Sequence, residues 1–181
     1  RGNYDQARNI VAFADLGEYE VEHVLNNQWT TKGDKVPYNK ANSLYETLTQ
    51  SYGNVRDIQQ TSTVLQGIPN MDSGEDYEKV ESARLLSSNE YTLNAALGYI
   101  SLRSALNQDE VLAVAYEYTY GGQVYQVGDF STDGGESLKA PNALLLKLLK
   151  STNNSPSEKN KGTWDLMMKN VYSIGATQMS N

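Results

Sequence analysis

The stretch from Asp76 to Phe130 most constrains what this chain can fold into. It holds the densest run of strand formers and one hairpin whose register can be written from the sequence. Gly121-Gly122 is a two-residue turn of the kind that closes a hairpin with positive φ at both positions. Tyr120 then pairs with Gln123, Tyr118 with Tyr125, and Tyr116 with Val127. Because strand side chains alternate faces, Leu112, Val114, Tyr116, Tyr118 and Tyr120 share one side with Tyr125 and Val127. The apolar set falls on one side without adjustment, which predicts a β-layer with one firmly buried face. The opposite face, with Ala113, Ala115, Glu117 and Thr119, is only partly apolar.

The 181 residues suit a single domain able to bury a core. Lys and Arg total 15 against 22 Asp and Glu, a net charge of −7. That balance argues against nucleic acid and anionic membrane surfaces, which need clustered cations. Cysteine is absent, which removes disulfides, zinc-thiolate sites and thiol nucleophiles together. No apolar run reaches the length of a membrane-spanning helix, so direct bilayer contact is not expected. The start at Arg1, without methionine or signal peptide, leads us to expect a piece of a longer protein. Tyrosine is abundant, 13 against 2 Phe and 2 Trp, which suits strands with one wet face.

Taken in order, Asn9 to Asp15 reads as a short strand closed by Gly17. Glu18 to Glu22 alternates acid with apolar residue, as an edge strand with a charged outer face does. Asn42 to Gln66 is helical territory: Leu44, Tyr45 and Leu48 follow Asn42 or Ser43 as N-cap, with Glu46 placed for a capping box. Gly53-Asn54 interrupts, and Val55, Ile58 and Leu65 mark a second period ended by Gly67 and Pro69. Tyr77 to Leu86 opens the β-region, and Tyr91–Leu93 and Tyr99–Leu102 flank a short loop ending in Gly98. Ser131 to Ser137 is a polar loop. Residues 142–150 fit an amphipathic helix and a buried strand equally; Trp164, Leu166, Met168, Asn170 and Tyr172 alternate as a final strand, while Leu166, Met167, Val171 and Ile174 also satisfy a helix. The expected fold is α+β, mainly antiparallel and sandwich-like, with a short helical segment at residues 42–66, in one soluble domain over 1–181.

Candidate chemistry is sparse. His23 is the only histidine and lacks a nucleophile or second ligand to work with. Asp72 to Asp76 and Asp133 to Glu136 are acidic and glycine-rich but lack the ligand spacing of a calcium loop, and read as turns. Glu18, Glu20 and Glu22 lie on one side of their segment; a carboxylate pair can hydrolyse a glycoside, but here they read as a solvated edge. Asn153-Asn154-Ser155 matches a glycosylation acceptor. Trp29, Trp164 and the tyrosines offer a sugar-stacking or partner surface, though core packing is the commoner use of tryptophan. No catalytic, cofactor-binding or metal-ligating set can be nominated, so an enzyme and a bound cofactor are not expected.

Several blocks carry a resemblance. Arg8 to Gly17 (RNIVAFADLG), Asp76 to Leu86 (DYEKVESARLL), Asn89 to Asn94, Leu97 to Leu102 (LGYISL), Glu110 to Tyr120 (EVLAVAYEYTY), Gln123 to Gly128 and Trp164 to Gly175 (WDLMMKNVYSIG) resemble, in that order, the SprA (Sov) family. That family comprises very large outer-membrane proteins of Bacteroidetes required for gliding motility and type IX secretion. The resemblance implies a non-catalytic domain, facing the periplasm or the cell surface, of a protein that forms a transmembrane β-barrel for folded cargo. It implies as partners the remainder of its own barrel chain, other secretion-system subunits and secreted cargo. The pattern from Tyr91 to Tyr118 is also shared by many sandwich modules, so an Ig-like or carbohydrate-binding surface adhesin module is the second reading. The blocks at Arg8–Gly17 and Trp164–Gly175 separate the two.

Overall fold

The β-branched pair Ile10-Val11 and the leucine run from Leu144 to Leu149 build the centre of the molecule. In the computed structural model, which describes residues 7–18, 29–30, 36–153, 155 and 161–167, they form β1 (Arg8–Phe13) and β8 (Leu144–Lys150). These two strands run parallel, Ile10 opposite Leu144 and Phe13 opposite Lys147. β2 (Tyr77–Ala83) adds antiparallel to β1, and β5 (Leu112–Val114) antiparallel to β8, giving the sheet order β2-β1-β8-β5. Val11, Ala12, Phe13, Leu145 and Leu148 are wholly buried. A strand buried on both faces reads as a continuous apolar run, not an alternating one. This resolves the ambiguity at residues 142–150 in favour of a strand.

One side of this sheet packs on a broken helical segment. α1 (Leu44–Gln50), a 3-10 turn at Gly53–Arg56 and α2 (Thr61–Gln66) bring Leu44, Leu48, Val55 and Leu65 against Val11, Phe13, Tyr77 and Leu145. The interruption falls at Gly53, as expected. The cap of α1 differs: Ser43 makes no side-chain cap bond, and the Leu44 N–H instead donates to Oδ1 of Asn42 at 2.8 Å. The layer facing the sheet is therefore helical, where a sandwich would place a second sheet. The fold is α+β.

The remaining strands pair as separate ribbons. β3 (Tyr91–Asn94) and β4 (Tyr99–Leu102) form one, and β6 (Tyr116–Tyr120) and β7 (Gln123–Val127) the other. The β6–β7 register is the one written from the sequence, Tyr120 with Gln123, Tyr118 with Tyr125 and Tyr116 with Val127. Gly121 and Gly122 have φ of 58° and 79°. What changes is the extent of the strand. Leu112 to Tyr120 is divided at Ala115: its first part joins the four-stranded sheet and its second the ribbon. Gly128, at φ 79°, passes Ala115 so closely that an added Cβ would lie 3.1 Å from the Ala115 Cβ. The expected firmly buried face is accordingly half-buried, with Val127 wholly buried at one end and Tyr120 exposed at the other.

Near the C-terminus, Trp164 and Leu166 lie in α3 (Lys161–Leu166), which packs on β8, so here the helical alternative holds and not the preferred strand. α3 buries Thr163 where the strand pattern would have buried alternate residues. Met168, Asn170 and Tyr172 lie outside the described residues, as do Glu20, Glu22 and His23.

Glycine substitutions test how tightly this frame is built. Gly122 sits in open space, so Gly122→Ala costs only the left-handed backbone, about 1–2 kcal/mol. At Gly17, φ is 100° and an added Cβ would lie 2.8 Å from the Asn39 carbonyl oxygen. Gly17→Ala requires backbone movement as well and is expected to lower the urea midpoint clearly more than Gly122→Ala.

Candidate functional site

Asp129, just after the β6–β7 hairpin, is where the layers meet. Gly128 turns the chain at the end of β7 and directs Asp129 under β8. There its Oδ2 accepts the Leu145 N–H at 2.6 Å, and its own N–H donates to the Leu145 carbonyl at 2.9 Å. Arg56, from the 3-10 turn, donates from Nη1 to Oδ2 at 2.6 Å, and the Tyr45 hydroxyl of α1 donates to Oδ1 at 2.5 Å. Arg56 also bonds the Ala143 carbonyl at 3.2 Å. The side chains of Arg56 and Asp129 are 8% and 2% exposed. Burial works against the Arg56 charge, but the hydrogen bonds and charge of Asp129 outweigh it and the net shift is upward. Burial and then the Asp129 charge raise the Tyr45 hydroxyl, so it stays protonated as a donor.

A second buried cluster lies beside it. Lys147 reaches from β8 to Glu18 at 2.6 Å, with side chains 5% and 4% exposed, and also bonds the Ala14 carbonyl. Glu18 accepts the Leu16 N–H at 2.6 Å. The expected solvated acidic edge is thus corrected at Glu18, which is turned inward to a buried lysine. Asp15 accepts from the Gly17 N–H at 2.7 Å and from the Asn42 amide at 3.0 Å. Burial and then the Glu18 charge raise the Asp15 carboxyl to about 7.

The other sequence candidates are not brought together. Asp76 closes its own turn by accepting the Asp72 N–H at 2.7 Å. Asp133 accepts from the Gln126 amide and the Phe130 N–H, while Glu136 pairs with Lys139. Asn153 accepts the Ser155 N–H at 3.1 Å. Among the described residues no three acidic or histidine side chains converge as a metal site, and no helix is long and apolar enough to cross a membrane. Trp29 packs partly buried against the core, and Trp164 is half-buried on α3. A cleft of about 300 Å³ is lined by Tyr45, Thr49, Gly53, Arg56, Ser137 and Leu138. Of its polar lining residues, Tyr45 and Arg56 are already held by Asp129.

Among the described residues, most of the large apolar side chains left facing solvent lie on the two ribbons. Leu93 and Ile100 are cross-strand partners on β3–β4, with Tyr91 opposite Leu102 on the same face. Leu93 is 62% exposed and Leu97, at the tip, 74%. On β6–β7, Tyr120 and Val124 are 64% and 62% exposed. Behind them Tyr116, Tyr118 and Tyr125 stack in a row, closed by Tyr38 edge-on to Tyr125 at 5.5 Å. The Tyr118 hydroxyl donates to the Pro37 carbonyl at 2.6 Å. At the base of β3–β4, Glu90 accepts from the Ser87 N–H and pairs with Arg84, and these bonds, Ser87 first, lower its pKa. Sequence reasoning missed the two buried clusters. The one signal for them was a lysine within the leucine run.

Comparison with known protein families, with curated proteins and with solved structures found no match.

Breaking one partner of a buried ion pair leaves the other charge uncompensated, at a cost of about 3–5 kcal/mol. Asp129→Ala should lose about that much in urea unfolding. Asp129→Asn keeps an acceptor for the Leu145 N–H and should lose less.

Proposed function

We propose that this chain is a non-catalytic structural and interaction domain of a very large outer-membrane protein, working in type IX secretion and gliding motility. The order of blocks resembling the SprA (Sov) family supports the reading. The observation that carries it is the uncovered apolar face of the β3–β4 ribbon, with Leu93, Leu97 and Ile100 in solvent. A two-stranded ribbon is marginal alone in water, and exposed apolar groups of this size are what partner surfaces are made from. The partner is the remainder of the chain's own barrel or an accessory subunit, with cargo contact as a further role. The half-buried tyrosine row favours the second reading, a carbohydrate-binding surface module, since stacked rings suit sugar faces. However, the ring faces of Tyr118 and Tyr125 are already turned on each other, 5.4 Å apart.

In the full-length protein, Leu93→Ser combined with Ile100→Thr should reduce co-purification of secretion-machinery subunits and lower cargo export. The same pair should change the unfolding free energy of this chain by no more than about 1 kcal/mol, about 0.5 for each surface change. Unchanged export and co-purification would reject the reading; glycan binding abolished by Tyr120→Ala would support the alternative.

A further inference from the structure

We propose that the outer edge of β3 accepts a further strand, supplied by the remainder of the longer polypeptide, so that the β3–β4 ribbon becomes part of a three-stranded sheet. The inference rests on the reading above only in taking the chain as part of a longer protein, and it adds the mode of contact. It starts from how the ribbon is attached. Among the described residues, every hydrogen bond and ion pair made by residues 84–103 stays within that stretch. The ribbon is thus an arm whose polar bonds are all internal, and it carries Leu85, Leu93, Leu97 and Ile100 in solvent.

The Arg103 N–H donates to the Glu90 carbonyl at 2.9 Å, and this bond sets the phase of the ladder. In an antiparallel pair, hydrogen-bonded positions alternate with positions whose backbone groups point away from the partner strand. With Glu90 opposite Arg103, Thr92 and Asn94 bond inward to Ser101 and Tyr99, and the N–H and C=O groups of Tyr91 and Leu93 point outward. No protein group among the described residues meets these four, and no third strand lies beside the ribbon. β4 has an outer edge of the same kind at Ile100 and Leu102. β3 is the more open of the two, with Leu93 62% exposed against 36% for Ile100.

Exposed edges are normally blunted by charge, proline or a bulge. β2, at the edge of the four-stranded sheet, carries Lys79 and Glu81, a register shift against Arg8 and Ile10, and Ser82 at φ 53°. From Tyr91 to Leu102 there is no charged residue, no proline and no register shift. An uncharged strand with an apolar residue at every second position suits this edge. Its backbone completes the ladder, and its apolar side chains extend the face that Tyr91 and Leu93 begin. The source follows from size. β3 is four residues long, and so short an edge buries far less than the roughly 800 Å² per partner of a stable complex. Neither a second copy nor a free subunit is held by it alone. A strand of the same polypeptide meets the edge at a high effective concentration, where a small contact suffices.

The test is amide hydrogen exchange at single-residue resolution, on the 181-residue chain and on the purified full-length protein without other subunits. In the chain alone, Tyr91 and Leu93 should exchange as unprotected amides. In the full-length protein both should slow by at least about tenfold, the worth of one backbone hydrogen bond. Leu93→Pro removes an outward N–H and no bond of the ribbon, and should abolish the protection of Tyr91 there; Leu93→Val keeps the N–H and should retain it. Protection already present in the chain alone, protection that needs an added subunit, or unprotected Tyr91 and Leu93 in the full-length protein would each overturn the proposal. This failure is separate from that of the secretion role. Export lost in the Leu93→Ser, Ile100→Thr protein while the wild-type Tyr91 and Leu93 amides stay unprotected would sink the strand alone. Protection with export unchanged would support the strand and reject the secretion role.

Discussion

The layers of the core meet at the carboxylate of Asp129. It takes a hydrogen bond from the backbone of β8, one from α1 through Tyr45, and an ion pair from the intervening turn through Arg56. Those three elements are the layers of the core, and Asp129 itself is delivered by the end of the β6–β7 ribbon. A buried carboxylate is costly unless its lone pairs are filled, so the geometry of all four parts is constrained together. The constraint explains Gly128, whose positive φ and closeness to Ala115 let the chain turn under the sheet. It also explains why the helical segment breaks at Gly53: the 3-10 turn that follows places Arg56 where α1 could not.

The rest of the molecule divides by how it hides its apolar surface. The four-stranded sheet is covered by the helical segment on one side, and α3 packs on β8. Among the described residues the β3–β4 ribbon has no such cover, and β6–β7 is covered only in part, by Pro37 and Tyr38. Their pairing satisfies backbone groups, but a ribbon of two strands has no interior of its own, so its apolar residues stay in water unless another surface meets them. The contrast is between a polar-locked core and ribbons whose outer apolar residues lack a full covering layer among the described residues.

Much of this was legible in the chain, for identifiable reasons. The Gly121-Gly122 hairpin was readable to the residue because turn chemistry fixes register locally. The helical segment and its interruption were readable because leucine spacing and a glycine are local signals too. Residues 142–150 could not be assigned from periodicity, since a strand buried on both faces has none. Glu18 was misread because alternation with Tyr19 and Val21 looks like an edge, and its partner, Lys147, is remote in sequence. Leu112 to Tyr120 was read as one strand because nothing local marks Ala115; the division is imposed by Gly128 passing close beside it. Asp129 carried no local signal of its role. Long-range pairing of charges leaves no periodic trace, and that is the part of the site the sequence kept hidden.

Native-state hydrogen exchange across all strands tests this account most directly, because it reads the free energy of opening element by element. The account predicts that β1, β8 and the Leu145 amide exchange only through global unfolding, while β3–β4 and the Tyr120 end of β6–β7 exchange through much cheaper local openings. If the ribbons shared the protection of β1 and β8, they would belong to the core, and the division between a locked centre and uncovered ribbons would be contradicted.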